Sequence, residues 1–224
     1  MPMSRGTYSS SIAVKLLVAL TGLGLCLYLV VHVAGNLLLL LGPSTFNGYA
    51  HALVSSPLVV PVELGLLAIF LLHVYNTVAT WWAERKVRPV PYQQVRSAGG
   101  PSRRSLASTT MIYTGAVTFV FVVLHVRMFK YGTYYQVPGT NERDLFRLVI
   151  EFFRDPLSVV FYEACLVLLG FHLWHGASSA PESLGINGAR ITPIVVWGGR
   201  LFAVLISAGF LLIPLWVYFV RGKP

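Results

Sequence analysis

Charged residues are scarce in this 224-residue chain, and acidic residues are scarcer than basic ones. Charged side chains make up 11% of the sequence and hydrophobic residues 55%, whereas a soluble domain carries about a quarter of charged residues. Only two cysteines occur, Cys26 and Cys165, and both fall within apolar runs. We expect them to be small packing residues, which excludes a disulfide framework and a cysteine-ligated cluster. The composition therefore excludes an ordinary soluble domain and predicts an integral membrane protein.

Five apolar runs are long enough to cross a hydrocarbon core of about 30 Å at about 1.5 Å per helical residue. The first is too long for a secretory signal peptide. The sequence predicts an all-α integral membrane protein, a single membrane domain over 1–224, in which spans I to IV form a bundle. Span V carries Pro214, which should kink it, and is expected to flank the bundle. The five spans cover residues about 14–41, 58–82, 106–129, 157–178 and 195–220.

Three connecting segments carry local signals. The segment 44–57 follows Gly42 and Pro43 and is predicted to be an outer loop with aromatic side chains at the membrane interface. The segment 88–104 is rich in Pro, Gly and Arg and is predicted to be an exposed loop. Between 142 and 154, apolar residues recur at helical spacing among charges, which predicts an amphipathic helix along the membrane surface.

The net charge of +9 arises from 17 basic and 8 acidic residues. The basic residues lie between and beside the apolar runs. This distribution is typical of charges that set the orientation of membrane spans, and it argues against nucleic-acid binding. Ten lie on the side of the N-terminus and seven on the opposite side. Because Lys and Arg favour the cytoplasmic side, the distribution predicts a multi-pass protein of the inner (cytoplasmic) membrane with a cytoplasmic N-terminus.

Four histidines lie inside four of the five apolar runs, namely His32, His73, His125 and His172. An ionisable side chain is costly in hydrocarbon, so its repetition there indicates a function. Spans I and III run outward and spans II and IV run inward. His32 and His125 are therefore expected toward the outer side and His73 and His172 toward the inner side. The two levels should lie about 10 to 15 Å apart.

Two neutral imidazoles that face each other inside a helix bundle match the two axial positions of a haem iron. Zinc would require four ligands in one tetrahedral shell, which two pairs at different depths do not provide. The pattern predicts two haems b that carry electrons, with axial ligands paired as His32/His125 and His73/His172. A hydrogen bond between helices is the alternative role of a membrane histidine. His175, one turn after His172, stays an alternative inner ligand or a contact for a haem propionate or a quinone.

The segments around these histidines resemble those of one protein family. They read HVAGN at 32–36, FLLH at 70–73, VVLH at 122–125 and GFHLWHG at 170–176. Together they resemble the single-chain, di-haem cytochrome b anchor of the succinate:quinone oxidoreductases, the group of succinate dehydrogenases and fumarate reductases. The resemblance covers essentially the whole chain.

The resemblance implies a five-helix subunit that holds two haems b and exchanges electrons with membrane quinone as substrate. A flavoprotein subunit would oxidise succinate or reduce fumarate, and an iron-sulfur subunit would relay the electrons. Both would dock on the cytoplasmic face of this chain, and the whole complex is compatible with a homo-oligomer. The chain would then be the quinone-reactive subunit of a tricarboxylic acid cycle enzyme whose dicarboxylate site lies on another chain.

Two carboxylates, Glu63 and Glu163, lie near the outer ends of spans II and IV and are candidates for a quinone or proton site. Their alternative role is that of interfacial carboxylates bonded to a neighbouring Tyr or Ser. Two other functions stay open. One is the haem b membrane subunit of another quinone-linked complex, of hydrogenase or formate dehydrogenase type. The other is a transporter or proton channel that uses histidines as relays.

Overall fold

The computed structural model describes residues 11–87 and 105–221, and this part of the chain is built almost entirely of helices. A 3₁₀ turn, Leu38–Leu41, extends the first helix, and a π-helical turn, Val217–Arg221, ends the last one. The segment 88–104, predicted to be an exposed loop, lies outside the described residues. The α-helices of the described part are α1 (Ser11–Leu37), α2 (Pro43–Val54), α3 (Val59–Val87), α4 (Leu106–Thr109), α5 (Met111–Phe129), α6 (Leu145–Phe152), α7 (Pro156–Ser183) and α8 (Ile191–Trp216).

Five of these helices are long and apolar enough to cross a membrane, and they confirm the five predicted spans. Large apolar side chains stay exposed on their outer surfaces, which suits contact with lipid because hydrocarbon is as apolar as the side chains. The chain is thus an all-α, multi-pass membrane protein. The spans cover Ile12–Leu41 (α1), Val59–Lys86 (α3), Met111–Phe129 (α5), Pro156–Ser183 (α7) and Ile191–Arg221 (α8).

Helices α1, α3, α5 and α7 form a four-helix bundle. α1 packs against α3 and α7, and α5 packs against α7 and more loosely against α3, whereas α1 and α5, like α3 and α7, have few or no contacts. Consequently α1 faces α5 across one diagonal of the bundle and α3 faces α7 across the other. α8 packs most extensively against α7 and also contacts α1, so it flanks the bundle as predicted. A Cβ on Gly199 of α8 would lie 2.6 Å from the Cα of Ser178, which shows how closely the α7 and α8 backbones approach.

The prediction of a loop over 44–57 is wrong, because Pro43–Val54 is the helix α2. Gly42 has φ 104°, a conformation that L residues with side chains rarely adopt, and so turns the chain sharply after the first span. Pro43 then occupies the first turn of α2, where a missing N–H costs nothing. A pair of residues that ends one helix therefore also begins the next.

A buried polar residue links α2 to α6. Asn47 is 5% exposed. Its Nδ2 donates a hydrogen bond to Asp144 Oδ1 at 2.8 Å, and its Oδ1 accepts one from the Phe146 N–H at 2.9 Å. The same Asp144 carboxylate caps α6 by accepting from the Arg147 N–H at 3.0 Å. One asparagine thus satisfies two groups at the start of a helix almost a hundred residues away.

The amphipathic helix predicted between 142 and 154 is confirmed as α6. Leu148, Val149 and Ile150 are buried, and Phe153 beyond its end is 4% exposed. These side chains belong to the core of the protein, where Phe153 packs against Tyr162 of α7 with ring centroids 4.9 Å apart. The apolar side of α6 therefore covers the outer end of the bundle.

Asp155 marks the boundary between α6 and the fourth span. Its Oδ2 accepts hydrogen bonds from the Ser158 N–H and hydroxyl, both at 2.8 Å. These bonds favour the ionised carboxylate, so they lower the pKa of Asp155 below its usual value. Pro156 follows in the first helical turn of α7.

Candidate functional site

His32 of α1 and His125 of α5 meet across the first diagonal of the bundle. Their ring centroids lie 5.8 Å apart, and the ring planes are nearly perpendicular at 87°. Two imidazoles on opposite sides of one metal ion would have centroids about 6 Å apart, given metal–nitrogen bonds of about 2 Å. The separation of this outer pair suits a shared iron, while the ligand assignment itself stays a prediction.

Aromatic side chains surround the outer pair. Phe210 of α8 lies 5.8 Å from His32 between ring centroids, and Phe129 lies 5.2 Å from His125. Tyr162 of α7 places its hydroxyl 3.4 Å from Nδ1 of His125. The outer pair therefore sits in an apolar pocket to which the flanking helix α8 contributes.

His73 of α3 packs against α1. Thr21 Oγ1 lies 3.1 Å from Nδ1 of His73. A Cβ added to Gly22 would lie 3.1 Å from Cε1 of the same ring. The small Gly22 thus lets the imidazole lie close to the α1 backbone, within reach of the threonine.

His172 of α7 contacts α5 in the same manner. Thr114 Oγ1 lies 3.3 Å from Nδ1 of His172, and a Cβ on Gly115 would lie 3.3 Å from its Cε1. His175 lies one turn further along α7 and is half-buried. Of the two candidate inner ligands, His172 is the one held by this Thr-Gly contact.

The helix registers place the two inner histidines at one level. The contact of His73 on α1 lies ten and eleven residues before His32, and that of His172 on α5 lies ten and eleven residues before His125. At about 1.5 Å per residue, both inner histidines are about 15 to 17 Å from the outer pair. His73 and His172 therefore lie at one level, on the two helices of the second diagonal, and their separation from the outer pair is at or just beyond the upper end of the predicted range.

The contacts of these two Thr and two Gly residues with the inner pair were not predicted. A signal for them exists in the sequence. The motif Thr-Gly, nine residues, His occurs twice, as TGLGLCLYLVVH at 21–32 and as TGAVTFVFVVLH at 114–125. Its first two residues contact an inner histidine and its last residue is an outer histidine. The repeat thus gives α1 and α5 equivalent contacts with the inner histidines.

The two candidate carboxylates have different surroundings. Glu63 of α3 forms an ion pair with Lys130 at the end of α5, and both side chains are partly exposed. Lys130 lies five residues beyond His125, about 8 Å further out. Glu163 follows Tyr162 on α7, and its Oε1 is buried without a hydrogen-bond partner among the described residues. Both carboxylates therefore lie near the outer pair.

The donor set of the described residues consists of imidazoles on four helices, which fits haem. Within 11–87 and 105–221, no three or more His, Cys, Asp or Glu side chains gather to hold a metal ion. This part of the chain offers imidazoles at two levels, one pair of them in ring contact, with glycines where the inner rings approach a backbone. These features fit two axial ligand pairs, one at each level.

No protein-family model, curated protein or solved structure matches this chain. Fold and site define a class: an all-α, multi-pass membrane protein whose four-helix bundle carries paired histidines at two depths.

Proposed function

We propose that this chain is the di-haem cytochrome b membrane anchor of a succinate:quinone oxidoreductase. His32 with His125 and His73 with His172 would each hold one haem b, at the outer and inner level of the bundle. When bound, a haem held by two histidines would supply one-electron transfer and would not bind oxygen. The observation that supports the proposal is the ring contact of His32 with His125 across one diagonal of the bundle, together with the common level of His73 and His172 on the other.

The chain's own residues have distinct tasks in this proposal. The histidines bind and orient the two haems, and the aromatic side chains around the outer pair exclude water. Phe210 of α8 and Phe129 of α5 are the rings beside this pair, at 5.8 and 5.2 Å between centroids. A water-poor site favours electron transfer over side reactions and keeps the ligands neutral.

Quinone chemistry needs proton exchange, and the two carboxylates near the outer pair are the candidates for it. Glu163 is the stronger candidate of the two. An ionised carboxylate without a partner is costly inside a bilayer, so this side chain favours binding a proton. It would hold or release a proton at Oε1 as quinone is reduced or quinol is oxidised. Glu63, which is paired with Lys130, would position the quinone or relay a proton.

The inner face would be cytoplasmic and would receive the flavoprotein and iron-sulfur subunits. At the end of α3, Arg85 lies over the ring of Trp81 at 4.1 Å, an arrangement typical of a membrane interface. Lys86 follows, so this end of the span is basic. The proposal therefore gives the protein a cytoplasmic N-terminus in the inner membrane.

Purification of the native complex through a tag on this chain tests the function. We expect a flavoprotein and an iron-sulfur subunit to copurify and succinate to reduce b-type haem in the preparation. Copurification of a nickel- or molybdenum-containing subunit would instead assign the chain to a complex of hydrogenase or formate dehydrogenase type. A haem-free preparation would favour a histidine-relay transporter.

The carboxylates are tested by Glu163→Gln and Glu63→Gln, with Glu142→Gln as a control in the outer connection between α5 and α6. We expect Glu163→Gln to slow quinone-linked turnover at least tenfold, while succinate still reduces the haems. Turnover equal to that of Glu142→Gln in both variants would remove the carboxylates from the quinone site.

A further inference from the structure

Each of the four paired histidines has a hydroxyl group at Nδ1. In the inner pair, Oγ1 of Thr21 lies 3.1 Å from Nδ1 of His73, and Oγ1 of Thr114 lies 3.3 Å from Nδ1 of His172. In the outer pair, the hydroxyl of Tyr28 lies 3.4 Å from Nδ1 of His32, and that of Tyr162 lies 3.4 Å from Nδ1 of His125. Nδ1 is therefore the nitrogen that a hydroxyl contacts in every ring, which leaves Nε2 for another partner.

The direction of the inner hydrogen bonds follows from the threonines' other contacts. Thr21 Oγ1 also lies 2.6 Å from the Leu17 carbonyl and 3.1 Å from the Val18 carbonyl. A carbonyl oxygen only accepts, so the single hydroxyl hydrogen of Thr21 is directed to the α1 backbone. Toward His73 the oxygen can then only accept, which requires the hydrogen to be on Nδ1.

Thr114 repeats this arrangement on α5. Its Oγ1 lies 3.2 Å from both the Thr110 and the Met111 carbonyl, so it too donates to its own helix and accepts from Nδ1 of His172. The repeated Thr-Gly pair thus carries two functions in adjacent residues. The threonine orients the ring through Nδ1, and the glycine gives the ring room beside the backbone.

We infer that Thr21 and Thr114 are positioning residues that hold His73 and His172 as Nδ1–H tautomers and aim their Nε2 lone pairs at one shared inner iron. This inference rests on the proposed haem function and deepens it. An axial histidine whose Nδ1–H is hydrogen-bonded is a stronger donor to the iron, which stabilises the ferric state. The threonines would therefore lower the midpoint potential of the inner haem, and each would do so through its own ligand.

The test compares Thr21→Val and Thr114→Val with the unmodified complex by redox titration of both haems. Valine keeps the β-branched shape and removes the hydroxyl. We expect each variant to change the ferric-to-ferrous ratio of the inner haem by about 3- to 10-fold. For a one-electron couple this corresponds to a rise of about 30 to 60 mV, since about 59 mV is tenfold. The outer haem should stay unchanged.

Two further variants separate positioning from general structure. Thr21→Ser restores a hydroxyl and should return the potential to near its original value. Thr118→Val is the matched control, because Thr118 on α5 donates only to the Thr114 carbonyl, at 2.8 Å within its own helix. Electron paramagnetic resonance of the ferric haems should show altered g-values for the inner haem alone in the two test variants.

The possible results are distinct. A shift confined to the inner haem, or loss of the inner haem in the valine variants but not in Thr21→Ser, supports the inference. An inner haem with unchanged potential overturns it, and so does an equal shift of both haems or an equal effect of Thr118→Val. In each of these cases the proposed di-haem function stands. Absence of b-type haem from the unmodified protein would overturn the proposed function itself.

Discussion

Replacing Asn47 by alanine should destabilise the outer end of the protein more than any exposed polar substitution. The change removes a hydrogen bond to the Asp144 carboxylate and leaves the Phe146 N–H without its acceptor. A bond to a charged group is worth about 1.5 to 3 kcal/mol, and an unsatisfied buried donor costs about 1 to 3 kcal/mol. Asp144 keeps its bond from the Arg147 N–H, so we expect a net loss of about 3 kcal/mol.

Thermal unfolding of the detergent-solubilised protein, followed by far-UV circular dichroism, measures this loss. For a chain of this size about 1 kcal/mol lowers Tm by about 2 to 4 °C, so Asn47→Ala should lower it by about 6 to 12 °C. Asn76→Ala is the matched control, because within residues 11–87 and 105–221 Asn76 donates its hydrogen bond to the Leu72 carbonyl of its own helix, at 2.7 Å. Equal shifts for the two variants would refute the role assigned to the link between α2 and α6.

Two close backbone approaches give further predictions. Gly199→Leu should cost about 3 kcal/mol or more in stability, because its Cβ would lie 2.6 Å from backbone atoms of Ser178, whereas Gly198→Leu, with open space around it, should be neutral in the same thermal assay. Gly35→Ala should cost about 1 to 3 kcal/mol, because its Cβ would lie 2.6 Å from the Tyr49 ring. The penalty should largely vanish in a Tyr49→Ala background, and a strictly additive double variant would contradict this contact.

The spans and the depth of the histidines could be predicted because they depend on length, hydropathy and chain direction alone. An apolar run of twenty or more residues has few alternatives to a transmembrane helix, since its backbone must satisfy its own hydrogen bonds. Once the spans alternate in direction, the place of each histidine along its span gives its level. The ring contact of His32 with His125 agrees with the level assigned to this pair.

The contacts that were not predicted depend on helix rotation and on distant partners. The contacts of Thr21 with His73 and of Thr114 with His172 require each helix to be turned correctly about its axis, which span boundaries do not determine. The helix α2 was missed because Gly42 and Pro43 read equally well as the end of one helix and as the start of another.

The haem content of the purified protein and of its single histidine variants tests the central claim most directly. We expect a reduced-minus-oxidised spectrum with b-type bands and two haems per chain. His125→Ala should lose the outer haem and keep the inner one, and His73→Ala should do the reverse. Each variant would then retain about half of the haem, with the spectrum of the surviving site. A protein without b-type haem, or variants that both keep two haems, would contradict the account.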